Sequence, residues 1–315
     1  MASYLVTGGA GFIGSHLTEE LVRRGHTVRV ADNLATGKRR NLDHVAGVEF
    51  LEGDLAELPF AQQAVAGVDF VLHQAAIPSV PKSVMDPIAS NRANADATLN
   101  VLVAARDAGV KRLVFAGSSS EYGNAPELPK REDMPASPLS PYALQKVVGT
   151  EYCQMFYRLY GFETVVIRYF NVFGPRQDPG SAYSGVISLF ATALIAGRRP
   201  TIYGDGEQTR DFTYVANIVD GVLRACQAPA AAGEAINVAC GTRISLNELL
   251  RTMNRIVGTR LEAIYQDERA GDVKDSQADI SKATALLGYT PTVDLEEGLR
   301  STLDWCRESA AAPAP

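Results

Sequence analysis

The sequence predicts an α/β protein: an open, doubly wound parallel sheet of about seven strands, with a smaller α/β lobe interleaved into it. Three observations carry this. Short apolar runs alternate with amphipathic stretches through the first half of the chain. The first run, Ser3 to Thr7, passes at once into Gly8-Gly-Ala-Gly11-Phe-Ile-Gly14, and a later run delivers Ser118 to its carboxyl end. With 315 residues, 46% of them hydrophobic, the chain can bury a full core and still form two lobes.

Composition narrows the function before any motif does. A formal charge of −6 with both signs interspersed offers no basic stripe, which argues against nucleic acid and anionic membrane as partners. No apolar run reaches the roughly 18 residues of a membrane span, and Met1-Ala-Ser-Tyr leads directly into a strand, so a cytoplasmic protein is expected. Cys153, Cys226, Cys240 and Cys306 are scattered singly and read as reduced core thiols. His16, His26, His44 and His73 lack metal-ligand spacing, so no metal is expected.

The elements follow in order. Strand, glycine turn and helix are read from Ser3 to Arg24, closed by Gly25. Gly8, Gly11 and Gly14 allow a tight turn and a close backbone approach, with Phe12 and Ile13 opening a helix whose free N–H groups suit a pyrophosphate. The next strand, Thr27 to Ala31, ends in Asp32-Asn33. An acid there suits the two ribose hydroxyls of NAD and repels a 2′-phosphate; Lys38, Arg39 and Arg40 follow closely and leave NADP open. Val48 to Leu51 is a third strand before Gly53-Asp54-Leu55, where Asp54 either meets an adenine amino group or closes a polar turn. Val68 to Ala76 is a fourth buried strand, its small residues around Ala75 letting a dinucleotide cross the strand ends. From Asp86 to Gly109 the pattern is helical, with Asn94 either a buried cap or a site residue. Arg112 to Gly117 is the fifth strand, Thr164 to Arg168 the sixth, and Ala235 to Ala239 the seventh. Ser245 caps a later helix, and a last helix runs from about Leu295 to Cys306.

Between the fifth and sixth strands lie Tyr142 and Lys146, four residues apart on a helix and therefore on one face. An ammonium beside a phenol favours the phenolate, which is general-base equipment near neutral pH. On spacing alone, such a pair also occurs on ordinary exposed helices.

Thr7-Gly-Gly-Ala-Gly-Phe-Ile-Gly14, Ser118-Ser-Ser-Glu-Tyr-Gly123, Ser140-Pro-Tyr142-Ala-Leu-Gln-Lys146 and Arg168-Tyr-Phe-Asn171 together resemble the extended short-chain dehydrogenase/reductase superfamily, and within it the nucleotide-sugar 4-epimerases. The resemblance runs from residue 3 to about 307. It implies a Rossmann unit over residues 1–171 and 213–241, a nucleotide-sugar lobe over 172–212 and 242–308, and a flexible tail over 309–315. It implies NAD as cofactor, a UDP-sugar as substrate, and a homodimer formed through the Tyr142 helix and the one before it. Tyr142 would then be the base, Lys146 would position the nicotinamide ribose and lower the tyrosine pKa, and Ser118 would bridge the sugar 4-hydroxyl, with Ser119 and Ser120 as substrate contacts and as the alternatives for that bridge. Related dehydratases carry Asp-Glu at the positions of Ser119 and Ser120, and UDP-glucuronate decarboxylases a Glu at that of Ser120; Glu121 stands one place too late. Serines here argue for epimerisation without elimination.

Further along, the resemblance places Asn171 against the sugar or its diphosphate, and Arg210 of Thr209-Arg-Asp-Phe-Thr-Tyr-Val215 against a diphosphate oxygen, where a planar guanidinium fits. An Arg210–Asp211 structural turn is the alternative. The segment from Tyr183 to Ile187 would begin a uridine-side helix, continued as core from Val186 to Ile195. Arg269 would form a second diphosphate clamp, and Asp272 would meet the uridine-side ribose or form a supporting pair. Ser276, where plain-hexose enzymes often carry tyrosine, would leave room for an N-acetyl group, and Pro78 stands where those enzymes often carry lysine. UDP-glucose and UDP-N-acetylglucosamine are therefore the expected substrates. UDP-glucuronate is the alternative, and a non-catalytic NAD-binding sensor is the reading from another class.

Overall fold

The computed structural model describes residues 1–178, 185–268 and 273–311. Seven strands form the central sheet: β1 (Ser3–Thr7), β2 (Thr27–Asp32), β3 (Glu49–Glu52), β4 (Phe70–His73), β5 (Arg112–Ser118), β6 (Glu163–Tyr169) and Ala235–Val238. Every neighbouring pair is parallel, in the order Ala235–Val238, β6, β5, β4, β1, β2, β3. Parallel sheets are covered on both faces, which is why these strands read as continuous apolar runs. Leu5, Val6, Val71, Leu72, Leu113, Val114, Val165 and Ile167 are all fully buried. One core, with Val6, Leu17, Val30 and Val222, lies on one face, and a second, with Leu5, Val71, Val101 and Phe156, on the other. Strand order reverses at β1, between β2 and β4, so loops diverge there and leave a crevice at the carboxyl ends.

The predicted strands stand within one to three residues of those observed, and three larger features differ. The single helix expected over 86–109 is broken: Asp86 caps Pro87–Asn91, its carboxylate accepting from Ala89 N at 2.9 Å, and a π turn at Arg92–Asp96 precedes Ala97–Asp107. The expected tail at 309 is still helix, since the last helix is Leu295–Ala311. And Ser281–Leu287, assigned by its place in the chain to the sugar lobe, sends Ala283, Leu287 and the following Tyr289 into the dinucleotide core.

The helix Pro141–Tyr160 begins on a Ser140 cap that accepts from Ala143 N at 3.1 Å and ends at Gly161 in the left-handed region. The smaller lobe has its own core around Phe173, Phe190, Ile202, Leu249 and Leu303, with Trp305 packed against it. Its sheets are pairs of two- or three-residue strands: Val172–Phe173 with Thr213–Tyr214, Thr201–Tyr203 with Ile264–Gln266, and Thr209–Arg210 with Ile244–Ser245. No helix among the described residues is long and apolar enough to cross a membrane.

Candidate active site

The crevice at the strand ends is lined by Gly8, Gly11, Phe12, Ile13 and Gly14 of the glycine turn and by Asp32 and Asn33 after β2. Asp54 and Leu55 after β3, Ala75 after β4, and Tyr142 and Lys146 from the helix at 141–160 complete the wall. All the residues singled out in the sequence for the cofactor thus meet in one cavity. Its floor admits no extra atoms. A Cβ on Gly14 would lie 2.2 Å from Gly8 O, and one on Gly8, which has φ +64°, 2.8 Å from the Ala75 backbone.

Asp32 is 7% exposed; its Oδ2 accepts from Ala10 N at 3.0 Å and its Oδ1 from Leu34 N at 2.8 Å. Burial raises its pKa against those two bonds. Each oxygen keeps a lone pair for a ribose hydroxyl. Of the basic residues that left NADP open, Arg39 lies over the Phe50 ring at 3.7 Å and Lys38 pairs with Asp178 at 2.6 Å. At the other end, Tyr169 donates to Gln74 Oε1 at 2.8 Å, which leaves the buried Gln74 Nε2 without a partner in the cavity wall. An unspent donor, a glycine cradle and an acid at the second strand together fit a dinucleotide.

His73 belongs to the scaffold. Thr7 Oγ1 accepts from Gln74 N and Ala75 N, so its proton goes to His73 Nδ1 at 2.7 Å; Nε2 then donates to Thr98 Oγ1 at 3.1 Å. Burial holds this imidazole neutral, its pKa pulled down to about 3. Asn94 lies in the π turn and ties the loop after β4 to the helix at 141–160: its Oδ1 accepts from Ile77 N at 2.8 Å, and its Nδ2 donates to Gln145 Oε1 at 2.8 Å.

Tyr142 and Lys146 share a face of their helix, but the ammonium is not on the phenol. Lys146, 4% exposed, donates to Ala116 O at 2.8 Å, and its Nζ sits 5.9 Å from the centre of the Tyr142 ring. Burial pulls its pKa down to about 8, opposed by Glu121 and Cys153. Burial likewise pushes the Tyr142 phenol up to about 12, against a hydrogen bond with Ser118 and with the Glu121 charge adding to the rise. Burial sets the Tyr142 pKa in the chain alone, and Lys146 is not among the groups that move it. Ser118 closes β5, and its Oγ accepts from Ser120 N at 3.1 Å and Ser120 Oγ at 2.8 Å. Of the three serines it is the one that acts on the phenol, opposing the rise in its pKa.

A second cavity, in the smaller lobe, is lined by Asn171, Gln177, Val186, Ile187, Tyr203, Gln208, Arg210 and Phe212. Asn171 has φ +32° and donates from Nδ2 to Asp211 O at 3.1 Å. Arg210 Nη1 donates to Thr209 O at 2.9 Å and Lys274 O at 3.0 Å. Ser276 is 9% exposed and donates its N–H to Thr209 O at 3.1 Å. Arg269, Asp272 and Tyr183 lie outside the described residues.

Two supports were not singled out in the sequence. Asp211, fully buried, accepts from Cys240 N, Gly241 N and Ala278 N at 3.1, 3.0 and 3.1 Å, and burial pushes its pKa up to about 6. Arg176, at φ +68°, reaches from the smaller lobe to Glu19 and to His16 Nδ1, tying that lobe to the helix after the glycine turn. Its sequence signal was only its place in Gly-Pro-Arg; the partners lie about 160 positions away.

The family model described as "NAD dependent epimerase/dehydratase family" matches residues 4–239. A putative UDP-glucose 4-epimerase of Methanocaldococcus jannaschii is 39% identical over 307 residues, covering 97% of this chain and 98% of that protein. Among solved structures, a UDP-N-acetylglucosamine 4-epimerase of Methanobrevibacter ruminantium in complex with UDP-N-acetylmuramic acid superposes with a TM-score of 0.94 at 38% identity, covering 98% of this chain and 99% of that one. A mutant UDP-glucuronic acid 4-epimerase of Bacillus cereus, in complex with a fluorinated UDP-glucuronic acid and NAD, does so with a TM-score of 0.90 at 30% identity, covering 98% and 99%.

Proposed function

The chain belongs to the NAD dependent epimerase/dehydratase family, and from that premise we propose that it interconverts UDP-glucose with UDP-galactose and UDP-N-acetylglucosamine with UDP-N-acetylgalactosamine. It is an enzyme, an NAD-using UDP-sugar 4-epimerase. The observation that carries the choice of sugar is the cation count. Among the described residues lining the two cavities, the only cationic side chains are Lys146 and Arg210. Lys146 is bonded to Ala116 O, and Arg210 is assigned to the diphosphate. A hexuronate carboxylate taken out of water needs a cation of its own. Room for the N-acetyl group rests on the resemblance at Ser276, which is buried and lines neither of the two cavities.

The glycine turn, Asp32 and Lys146 would hold NAD, which would supply a hydride acceptor and donor for C4. Tyr142 takes the 4-hydroxyl proton, with the Ser118 hydroxyl bonded to the phenol and oriented by Ser120. Lys146 supplies the positive charge that stabilises the phenolate and a donor for the cofactor ribose. Arg210, with Arg269, holds the diphosphate while the 4-keto ring turns over. Ser118, Ser119, Ser120 and Asn171 are short and neutral, and such side chains resist that turn less than several charged ones. Tyr142 then gives the proton back to the 4-oxygen, whose carbon now has the inverted configuration.

The same reading includes a homodimer. Val84 and Met85, 62% and 79% exposed, and Ile88, 83% exposed, stand on the short helices Val80–Met85 and Pro87–Asn91, which pack on the Tyr142 helix, and that helix itself presents Leu144, 52% exposed. Light scattering at the mass of two chains supports this part; a single-chain mass overturns it. Substrate choice is tested by giving the purified enzyme UDP-glucose, UDP-N-acetylglucosamine and UDP-glucuronate in turn and separating the products.

A further inference from the structure

We propose that Glu121 is a positioning residue for epimerisation, a buried clamp that fixes the Ser118 loop to the helix carrying Tyr142 and Lys146. The inference rests on the epimerase reading, and it concerns a residue that does not line the cofactor cavity.

Glu121 is 1% exposed, and both its oxygens are spent inside the protein. Oε1 accepts from Ser118 N at 2.9 Å; Oε2 accepts from Arg168 Nε at 3.0 Å and from Thr150 Oγ1 at 3.1 Å. Thr150 lies one turn past Lys146 on the same helix, so its hydroxyl falls on the Tyr142–Lys146 face. Three elements, the end of β5, the helix at 141–160 and β6, therefore meet on one carboxylate. Arg168 is anchored in turn, since its Nη1 donates to Tyr122 OH at 2.9 Å and that hydroxyl donates to Asn237 Oδ1 at 2.7 Å. There is no slack: a Cβ added to Gly117 would lie 3.0 Å from Glu121 Oε1.

A carboxylate this deep is costly unless paired and bonded, and here each lone pair in use points at an element of the catalytic machinery. Holding the Ser118 N–H fixes the backbone from which Ser118 Oγ reaches the phenol. The groups facing Lys146 are Glu121, Tyr142, Cys153 and His73. Burial pulls Lys146 down, and of these groups Glu121 is the first to oppose the fall. Loss of its charge therefore favours the neutral amine.

The test uses Glu121→Gln, which places an amide donor against either Arg168 and Thr150 or Ser118, together with Glu121→Asp and Thr150→Val. Loss of a buried charge-assisted bond predicts that Glu121→Gln lowers kcat roughly 10- to 100-fold on the best wild-type UDP-sugar. KM stays within about threefold and bound NAD is unchanged, since no substrate or cofactor contact is removed. The rising limb of its kcat profile, set by Lys146, moves to lower pH. Glu121→Asp, which keeps the charge, recovers part of kcat, and Thr150→Val, which removes one bond, loses less than Glu121→Gln. A wild-type kcat in folded Glu121→Gln overturns the proposal. So does equal loss of kcat, bound NAD and stability with no recovery in Glu121→Asp. If Glu121→Gln does not fold, a wild-type kcat in both other variants overturns it. Amide hydrogen exchange of Ser118 in substrate-free enzyme separates the clamp from the reaction. Protection lost in Glu121→Asp or Thr150→Val supports the clamp, even if the wild type epimerises no UDP-sugar and the epimerase reading falls. Protection unchanged in every folded variant overturns the clamp itself.

Discussion

The two halves of the cleft are built differently. The cofactor half comes from the ends of one seven-stranded sheet, and its surfaces are backbone against backbone, as where Gly8 meets Ala75. The sugar half comes from pairs of two- or three-residue strands, and its shape depends on buried side chains, above all Asp211, which gathers three N–H groups from distant segments. One half is specified by what is missing, a Cβ, and the other by what is present, a carboxylate.

Perturbations should separate the two. The largest effect belongs to the chemistry between them: Tyr142→Phe should lower kcat by roughly 10²- to 10⁴-fold while bound NAD, measured after denaturation, stays at the wild-type level. Asp211→Ala should cost about 3 kcal/mol or more in urea unfolding, since three N–H groups lose their acceptor together. Glycine-turn packing is untouched by that change, so the folded fraction should still retain NAD. Gly14→Ala should do the reverse. Its Cβ falls 2.2 Å from Gly8 O, and an overpacking cost of about 1–3 kcal/mol weakens NAD binding roughly 10- to 100-fold, read by titration. Should Asp211→Ala strip NAD as fully as Gly14→Ala, the halves would be one unit.

The smallest effect is a pH shift. Lys146, pulled down to about 8, is an ammonium below that pH and an amine above it, whereas Tyr142 is pushed up to about 12. Between about pH 8 and about pH 12 the pair holds one proton, the count that the phenolate–ammonium form needs, so kcat should rise through about pH 8. Lys146→Arg, charged throughout, leaves that step to the phenol and should move the rise upward, with lower activity.

The cofactor half was legible in the sequence because its determinants are local. A glycine turn follows a strand, and an acid ends the next one, so Gly8, Gly14 and Asp32 needed no knowledge of the fold. The seven strands were legible for the same reason, as apolar runs between turns. The sugar half was less so. Asp211 reads as part of an Arg-Asp turn, yet its partners stand 29, 30 and 67 positions away. Glu121 reads as a carboxylate one place too late for elimination chemistry, and only the fold turns it inward to Arg168, 47 positions on. The tyrosine–lysine pair was legible in part. Spacing put Lys146 on the right face, but it could not show that Ala116 O already holds the ammonium.

The most direct test of the central claim is product analysis by NMR of the purified enzyme with UDP-glucose, UDP-N-acetylglucosamine and UDP-glucuronate, alongside Tyr142→Phe. The account predicts C4 inversion of the first two sugars, no accumulation of NADH, and loss of turnover in the variant. Inversion of UDP-glucuronate alone, or steady accumulation of NADH with an oxidised product, would contradict it.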